Sequence, residues 1–425
     1  MDEDSLVRLV NSLQGPSGNF RSNWTYNSLV YSLLGLIIEK VSKLSFADFL
    51  TSRILVPLGM RDSSILTLAP QDRNSSETVA SGYVVLPEDD LRELPITQWD
   101  NNYFAASFGM SSSTNDQLRW AKAVIDAHRD DTGPVSTPYR QVLAAIRLTM
   151  EPGCQIRIMD QDVMSYRAGW FHTVGQMIDF NIFYDPLVGS TPQEHPLMNT
   201  KANGEDTTTT SQLEDMPAHE SRSILYSNGY CKGFTSCLYV YPDLGHAVVV
   251  LGNSTGRSEP CGYVSRLLAA LVCGDSIQSD SIAALQEEVE EFASRWTTLY
   301  QAFGLATSQY HPISVDDHER YAGYYRDVEL GFGMRIFACS KTKGLMFCFD
   351  DQPTMQLGLW EYKKHVLCFF PPEAEFTRKI MPPFADTSQY LLHMQMQVDH
   401  NCAWGLWWQY DRGVDASWLE KQTCL

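Results

Sequence analysis

Asn23-Trp24-Thr25-Tyr26-Asn27-Ser28-Leu29-Val30-Tyr31-Ser32-Leu33-Leu34-Gly35-Leu36-Ile37-Ile38-Glu39 passes from an aromatic, polar approach into an apolar segment. From Val30 the apolar positions Val30, Leu33, Leu34, Ile37, Val41 and Leu44 keep helical spacing, while Leu36 and Ile38 add apolar surface on the other side. That pattern predicts a helix buried nearly all round. Ser45 followed by Asp48 is an N-cap signal for a second helix through Phe46, Phe49, Leu50 and Ile54, which Pro57 and Gly59 are expected to stop. A helical hairpin results. Further out, residues 62–105 read as long loops, and a third helix is expected after the capping residues Ser113 and Asn115, carrying Leu118, Trp120, Ala121 and Val124.

Downstream, residues 200–221 are polar and acidic and read as an exposed excursion. Residues 222–228, 234–241 and 247–253 read as antiparallel strands, the last two joined by the turn Pro242-Asp243-Leu244-Gly245. Residues 258–273 look helical, and an acidic amphipathic helix over 281–303 would close the first unit. Beyond His311 the pattern changes to strands only, at 321–325, 334–339, 345–349, 355–362, 365–370, 391–398 and 403–410. Trp404, Leu406, Trp408 and Tyr410 alternate, which predicts one face of that strand turned into the core of a barrel. The fold class is therefore α/β (α+β), an antiparallel sheet flanked by helices, followed by a carboxy-terminal all-β barrel. The units divide into residues 1–305 and a small, lipocalin-like barrel at 310–425.

The 425 residues carry 51 acidic against 32 basic side chains, a formal charge of -19, which repels phosphate backbones and anionic membrane surfaces. Nucleic acid is excluded as a partner. The longest apolar run, Leu29 to Ile38, is too short to span a bilayer, so no membrane segment is expected. An acidic amino terminus without a long apolar stretch suggests no export, and ten scattered cysteines without a C-x-x-C pair suggest a reducing compartment, hence the cytoplasm. No H-E-x-x-H or comparable cluster suggests a metal, and no cofactor is expected. A hydrolase built on an unrelated Ser/His/Asp set is disfavoured, and His246, beside the hairpin, reads as a surface residue.

Five blocks in order carry a family resemblance: the segment 23–39, then Ile54-Leu-Val-Pro57-Leu-Gly59-Met60, then Phe108-Gly-Met-Ser-Ser-Ser-Thr-Asn115-Asp116, then Ser227-Asn228-Gly229 leading into Gly233-Phe234-Thr-Ser, and finally Leu251-Gly-Asn253. Together they resemble the serine beta-lactamase-like and penicillin-binding proteins, of the class C and peptidase S12 type, over residues 4 to about 303. The resemblance implies acyl transfer through an acyl-serine, with the serine of a Ser-x-x-Lys motif as nucleophile and the lysine and a motif tyrosine handling its proton. Tyr26 matches the tyrosine. Ser28 stands where the family has the motif asparagine, and Ser227 where it has Lys or His, so an amide and a titratable group are both missing. Ser227, Asn228 and Gly229 are the degenerate third motif, expected to steer substrate. Lys232, near that motif, reads as a solvated surface lysine.

No Ser-x-x-Lys precedes Tyr26, and the one such string, Ser340-Lys-Thr-Lys343, falls between two strands of the barrel and reads as a hairpin turn. Met1 is accordingly expected to be an internal methionine of a longer chain. In the family the preceding segment covers the 30–44 helix; without it that helix is expected to expose apolar surface, or to need a protein partner or a second copy. The functional expectation is a serine hydrolase or acyltransferase taking small ester, amide or thioester substrates, as in fungal-type secondary metabolism. The competing expectation is an inactive descendant that binds or scaffolds.

Overall fold

The computed structural model describes residues 3–12, 27–65, 79–85, 91–94, 104–129, 135–150, 153–158, 161–174, 222–231, 233–255, 260–274, 290, 313–328, 331–349, 356–369, 390–397, 402–409 and 416–422. Tyr26, Lys232, Tyr410, the 200–221 excursion and all of the expected 281–303 helix except residue 290 lie outside these.

Helix α1 (Glu3–Ser12) leads to α2 (Ser28–Ser42), whose amino end is capped by Asn27, its side chain accepting from the Leu29 and Val30 amides at 2.8 and 3.4 Å. Lys43 closes α2 in a left-handed conformation. The face of α2 that is buried is Ser32, Gly35 and Leu36, and a Cβ on Gly35 would lie 2.7 Å from the Ala106 Cβ. Only glycine permits that approach of α2 to α5 (Ala105–Phe108). The all-round burial expected of α2 is not found. Val30, Leu34, Ile37, Val41 and Leu44 form a stripe that remains 37–78% exposed.

The second helix starts where expected, at α3 (Phe46–Leu50) capped by Ser45, but passes through a π-helical turn at Thr51–Leu55 into α4 (Val56–Leu58). Pro57 therefore does not stop it. A proline removes an amide donor, and it is accommodated in the first turn of α4, where such donors are spare. Gly59, at φ 70, ends the helix. Residues 62–105 are not merely loops. They contain β1 (Ser64–Ile65), β2 (Gly82–Val85) and β3 (Leu91–Leu94). Strand β1 pairs with β4 (Met110–Ser111).

Helix α6 (Thr114–Arg129) is capped by Ser113, whose Oγ accepts from the Asp116 amide at 3.2 Å, while Asn115 lies in its first turn. Helix α7 (Pro138–Thr149), β5 (Cys154–Ile158), β6 (Gln161–Arg167) and β7 (Trp170–Val174) were not anticipated. Thr137 before Pro138 was a legible helix start. The expected strands after the excursion are β8 (Ser223–Cys231), β9 (Phe234–Tyr241) and β10 (His246–Gly252), followed by β11 (Ser254–Thr255) and α8 (Pro260–Cys273).

The central sheet is antiparallel in the order β10-β9-β8-β7-β6-β5, and β11-β2-β3 form a small second sheet. On one face Trp170, Leu225, Leu238 and Val240 pack against residues of α4, α6 and α7. The other face holds a ladder of rings in register, Tyr166–Phe171–Tyr226–Tyr239, with successive centroids 5.0, 5.1 and 5.7 Å apart. Cys261 and Ala269 of α8 cover it. Cross-strand aromatic pairs of this kind are a principal stabiliser of a sheet.

After the short helix α9 (His318–Tyr321), eight strands close a barrel in sequence order: β12 (Gly323–Arg326), β13 (Gly333–Cys339), β14 (Gly344–Phe349), β15 (Leu357–Lys363), β16 (Val366–Cys368), β17 (Leu391–Met396), β18 (Ala403–Trp408) and β19 (Ser417–Gln422). Its interior is filled by Phe347, Phe369, Tyr390, Leu406 and Trp408 among others. Trp404 departs from the expected alternation and is 44% exposed. The register steps from Gln395↔Gly405 to Met396↔Ala403, so Trp404 is the extra residue of a β-bulge that turns it outward. Ser340-Lys-Thr-Lys343 is the β13–β14 hairpin turn, with Lys343 at φ 53, as the sequence indicated.

Candidate functional site

The third-motif strand is β8, and its pairing is asymmetric. Its register with β9 runs to Cys231↔Phe234, but that with β7 covers only Val174↔Ser223 to Phe171↔Tyr226. Among the described residues, no strand pairs with the β7 side of β8 from Ser227 to Gly229. An open strand edge presents backbone donors and acceptors at alternate residues, the arrangement by which proteins add an extended, amide-bearing ligand to a sheet.

Ser227 shares the sheet face of Leu225, towards the helices, and Asn228 shares that of Tyr226. A Cβ on Gly229 would collide with Ser236 Oγ on β9, so a larger residue there would require the serine hydroxyl to turn away. Asn228 is the unusual residue. Both polar atoms of its side-chain amide are enclosed, and neither has a hydrogen-bond partner. A buried amide without partners costs roughly 1–3 kcal/mol, a penalty that a bound carbonyl or amide would lift. The hairpin tip is pinned by Gly233, at φ 74, where a Cβ would meet Leu94 Cδ1 at 2.8 Å and the Tyr83 nitrogen at 2.9 Å.

Ser28 opens α2, and its carbonyl accepts from Ser107 Oγ at 2.6 Å and Ser32 Oγ at 3.4 Å. The side-chain amide that the resemblance places at Ser28 stands instead at Asn27, where it is committed to capping. Sequence reasoning missed this, although an asparagine before an apolar run is a standard N-cap signal. Tyr31, one turn further along α2, hydrogen-bonds through its hydroxyl to that of Tyr166, at the end of the aromatic ladder. Neither Ser28 nor Tyr31 is brought together with Ser227 by any described contact, and Tyr26 is outside the described residues.

A Ser–His pair exists elsewhere on the sheet, undetected in the sequence. His172 Nε2 lies 2.9 Å from Ser223 Oγ, while Arg167 Nη2 donates to Nδ1 at 2.8 Å. Burial, then the Arg167 charge, lowers the His172 pKa to about 4, with Asp243 opposing. Because a guanidinium only donates, Nδ1 accepts and Nε2 carries the proton towards Ser223 Oγ, so His172 is not placed to take a proton from that serine, and the Arg167 charge disfavours its imidazolium. The pair is structural. It also makes a pH prediction: a histidine whose folded pKa lies below its unfolded value near 6.5 withdraws stability as pH falls from about 6.5 towards 4. At this half-buried site, solvent screening limits the loss to about 1–2 kcal/mol. His172→Gln is expected to flatten that limb of the urea midpoint against pH.

The string Gly252-Asn-Ser254-Thr-Gly256 fits the Gly-x-Ser-x-Gly pattern of a nucleophile elbow, a match the sequence reading overlooked. Ser254 pairs with Tyr83 inside β11 rather than occupying a strand-to-helix elbow, and no described histidine bonds to it. His246 is half-buried rather than on the surface, with an enclosed Nδ1. Among the described residues no three His, Cys, Asp or Glu side chains come together as a metal site, and no helix is long and apolar enough to cross a membrane.

The family model named Beta-lactamase matches residues 2–271, well over half of the 425 residues. The chain belongs to the beta-lactamase family. It is 31% identical to Penicillin-binding protein 4* of Bacillus subtilis over 141 residues, which are 31% of this chain and 30% of that protein. It is 28% identical to Protein flp of Staphylococcus aureus over 147 residues, 34% of this chain and 26% of that protein. The beta-lactamase-like chain thus spans about a third or less of the length of these curated relatives. Among solved structures, the octameric penicillin-binding protein homologue from Pyrococcus abyssi matches with a TM-score of 0.41 at 15% identity, covering 95% of this chain and 66% of that one. A class C beta lactamase from Rhodobacter sphaeroides matches at 0.38 and 18%, covering 68% and 66%.

Proposed function

We propose that this chain is the substrate-steering portion of a serine hydrolase or acyltransferase that acts on small ester, amide or thioester substrates. The observation that carries the reading is the Asn228 side chain: an enclosed, unpartnered amide beside the open edge of β8. An acyl substrate lying along Ser227–Gly229 would meet that amide and the strand edge that β7 leaves unpaired. The nucleophile in this reading is a Ser-x-x-Lys serine encoded upstream of Met1, and Tyr26 is its proton-handling partner. The transfer of an acyl group to a small natural product is one reaction of this kind. The scattered cysteines favour the cytoplasm as its setting, and residues 1–305 and 310–425 are assigned to separately folding units.

The test is labelling by an acylating probe, a fluorescent penicillin or a fluorophosphonate. The 425-residue chain is expected to remain unlabelled, and a protein extended through the upstream reading frame to be labelled at the Ser-x-x-Lys serine. In that extended protein Asn228→Leu is expected to slow labelling by about tenfold or more while raising stability by about 1 kcal/mol, because the enclosed amide is removed. An upstream frame without Ser-x-x-Lys, or an extended protein that is not acylated, would overturn the reading. Ser28 and Ser227, lacking the amide and the cation of the family pattern, favour a binding or scaffolding role in that event.

The exposed α2 stripe supports a further part of the proposal: a protein partner, or a second copy of the chain, covers it.

A further inference from the structure

Far from the β8 edge in sequence, the outer wall of the barrel carries three tryptophans in contact. Trp404 and Trp407 of β18 flank Trp418 of β19, with ring centroids 4.6 and 5.2 Å from Trp418 and planes tilted by 55° and 53°. They do not belong to the core. Trp404 and Trp407 are 44% and 41% exposed, and Trp418 is half-buried beneath them.

Two backbone features build this strip. The bulge at Trp404 turns outward a side chain that strict alternation would have sent into the barrel. Gly405 then leaves room for the Trp418 ring, which lies where a Cβ at that position would be. Trp407 stands directly across from Trp418, and His393 of β17 directly across from Trp407. The rim is polar. His393 and Gln395 on β17 and Glu420 on β19 are exposed, and Arg326 stands across from Glu420, so the charges of that pair balance.

The dimensions and chemistry select among ligands. The exposed parts of Trp404 and Trp407 amount to roughly 200 Å², far below the ~800 Å² that each partner of a stable protein interface buries. Stacked nucleobases and anionic lipid surfaces are opposed by the net charge of -19. What remains is a flat, neutral molecule with an apolar face and a hydrogen-bonding edge. A pyranose ring has that character, its C–H face lying on an indole while its hydroxyls reach a polar rim.

We propose that the β17–β18–β19 face of the barrel binds a neutral oligosaccharide, with pyranose rings stacked on Trp404 and Trp407, which Trp418 supports from beneath. The site is independent of acyl chemistry. The test is co-sedimentation of the 425-residue chain with insoluble chitin, cellulose and β-1,3-glucan, followed by tryptophan-fluorescence titration with the corresponding hexasaccharides. Retention on at least one polysaccharide, competed by its hexasaccharide and insensitive to salt, is expected. Trp404→Ala with Trp407→Ala should weaken it by about tenfold or more, since each ring–ligand contact is worth on the order of 1 kcal/mol. Both rings also pack against Trp418, so the double variant is expected to have a lower urea midpoint and is compared where its circular dichroism matches the wild type, and Trp404→Phe with Trp407→Phe should retain part of the affinity. The proposal is overturned if none of the polysaccharides is bound or if the alanine double variant binds as tightly as the wild type. Attachment of these tryptophans to phosphatidylcholine vesicles in place of glycan would equally overturn it.

Discussion

Asp116→Ala is expected to destabilise the chain by about 3–5 kcal/mol, the cost of breaking a buried charged network by removing one partner. Asp116 is fully buried at the start of α6 and accepts from the Asp62 amide at 2.7 Å, from Ser63 Oγ at 2.8 Å and from the Arg119 guanidinium. Its carboxylate also meets the positive end of the α6 dipole. These bonds tie the segment after α4 to the helix that covers the sheet. Truncation would leave the Asp62 amide without its acceptor. Ser63 would be left with only Ser112 Oγ, at 2.8 Å. Arg119, about half exposed, can turn to solvent, which is why the loss is not larger. Asp116→Asn keeps one acceptor oxygen and should cost about half as much. The reading is the urea midpoint by tryptophan fluorescence. A midpoint within error of wild type for the alanine variant would mean that the 61–64 segment is not held by this carboxylate.

The same network shows what a sequence does and does not disclose. The string Phe108 to Asp116 was recognised as a motif and Ser113 as a helix cap, because capping is local chemistry written within four residues. That the Asp116 carboxylate reaches back to Asp62 and Ser63 was not legible, since that contact spans more than fifty residues and follows only from the packing of α4 beside α6. The barrel followed the same division. Periodicity located seven of its strands, but not the bulge that exposes Trp404, because a single inserted residue leaves the pattern of two intact on either side. The candidate site was half legible. Ser227, Asn228 and Gly229 were placed on a strand by motif order, whereas the openness of that strand depends on where β7 begins, and β7 was not foreseen. The apolar content of α2 was legible, as was the apolar surface it exposes, whereas the side that faces inward was not. Helical spacing identifies a stripe, but the neighbour decides which side is inward, and here Gly35 and Ala106 fix the contact on the side of small residues.

The exposed side of α2 leads to the second large effect expected. Val30, Leu34, Ile37, Val41 and Leu44 follow one face of α2 and are 40%, 47%, 48%, 78% and 37% exposed. Complete burial of such a side chain is worth roughly 1.5–3 kcal/mol, and the half that remains exposed is worth about 1 kcal/mol each. In a symmetric dimer two such stripes cover each other, which offers about 8–10 kcal/mol in all, the range of a micromolar association constant. The purified chain is expected to sediment as a dimer or larger species at micromolar concentration. Leu34→Glu combined with Ile37→Lys and Val41→Glu should shift it towards monomer with its far-ultraviolet circular dichroism unchanged, because none of the three side chains is in the buried face of α2. A wild-type chain that is monomeric at tens of micromolar and melts cooperatively would refute the partner proposal. Dissociation by the triple variant would instead locate the contact on α2.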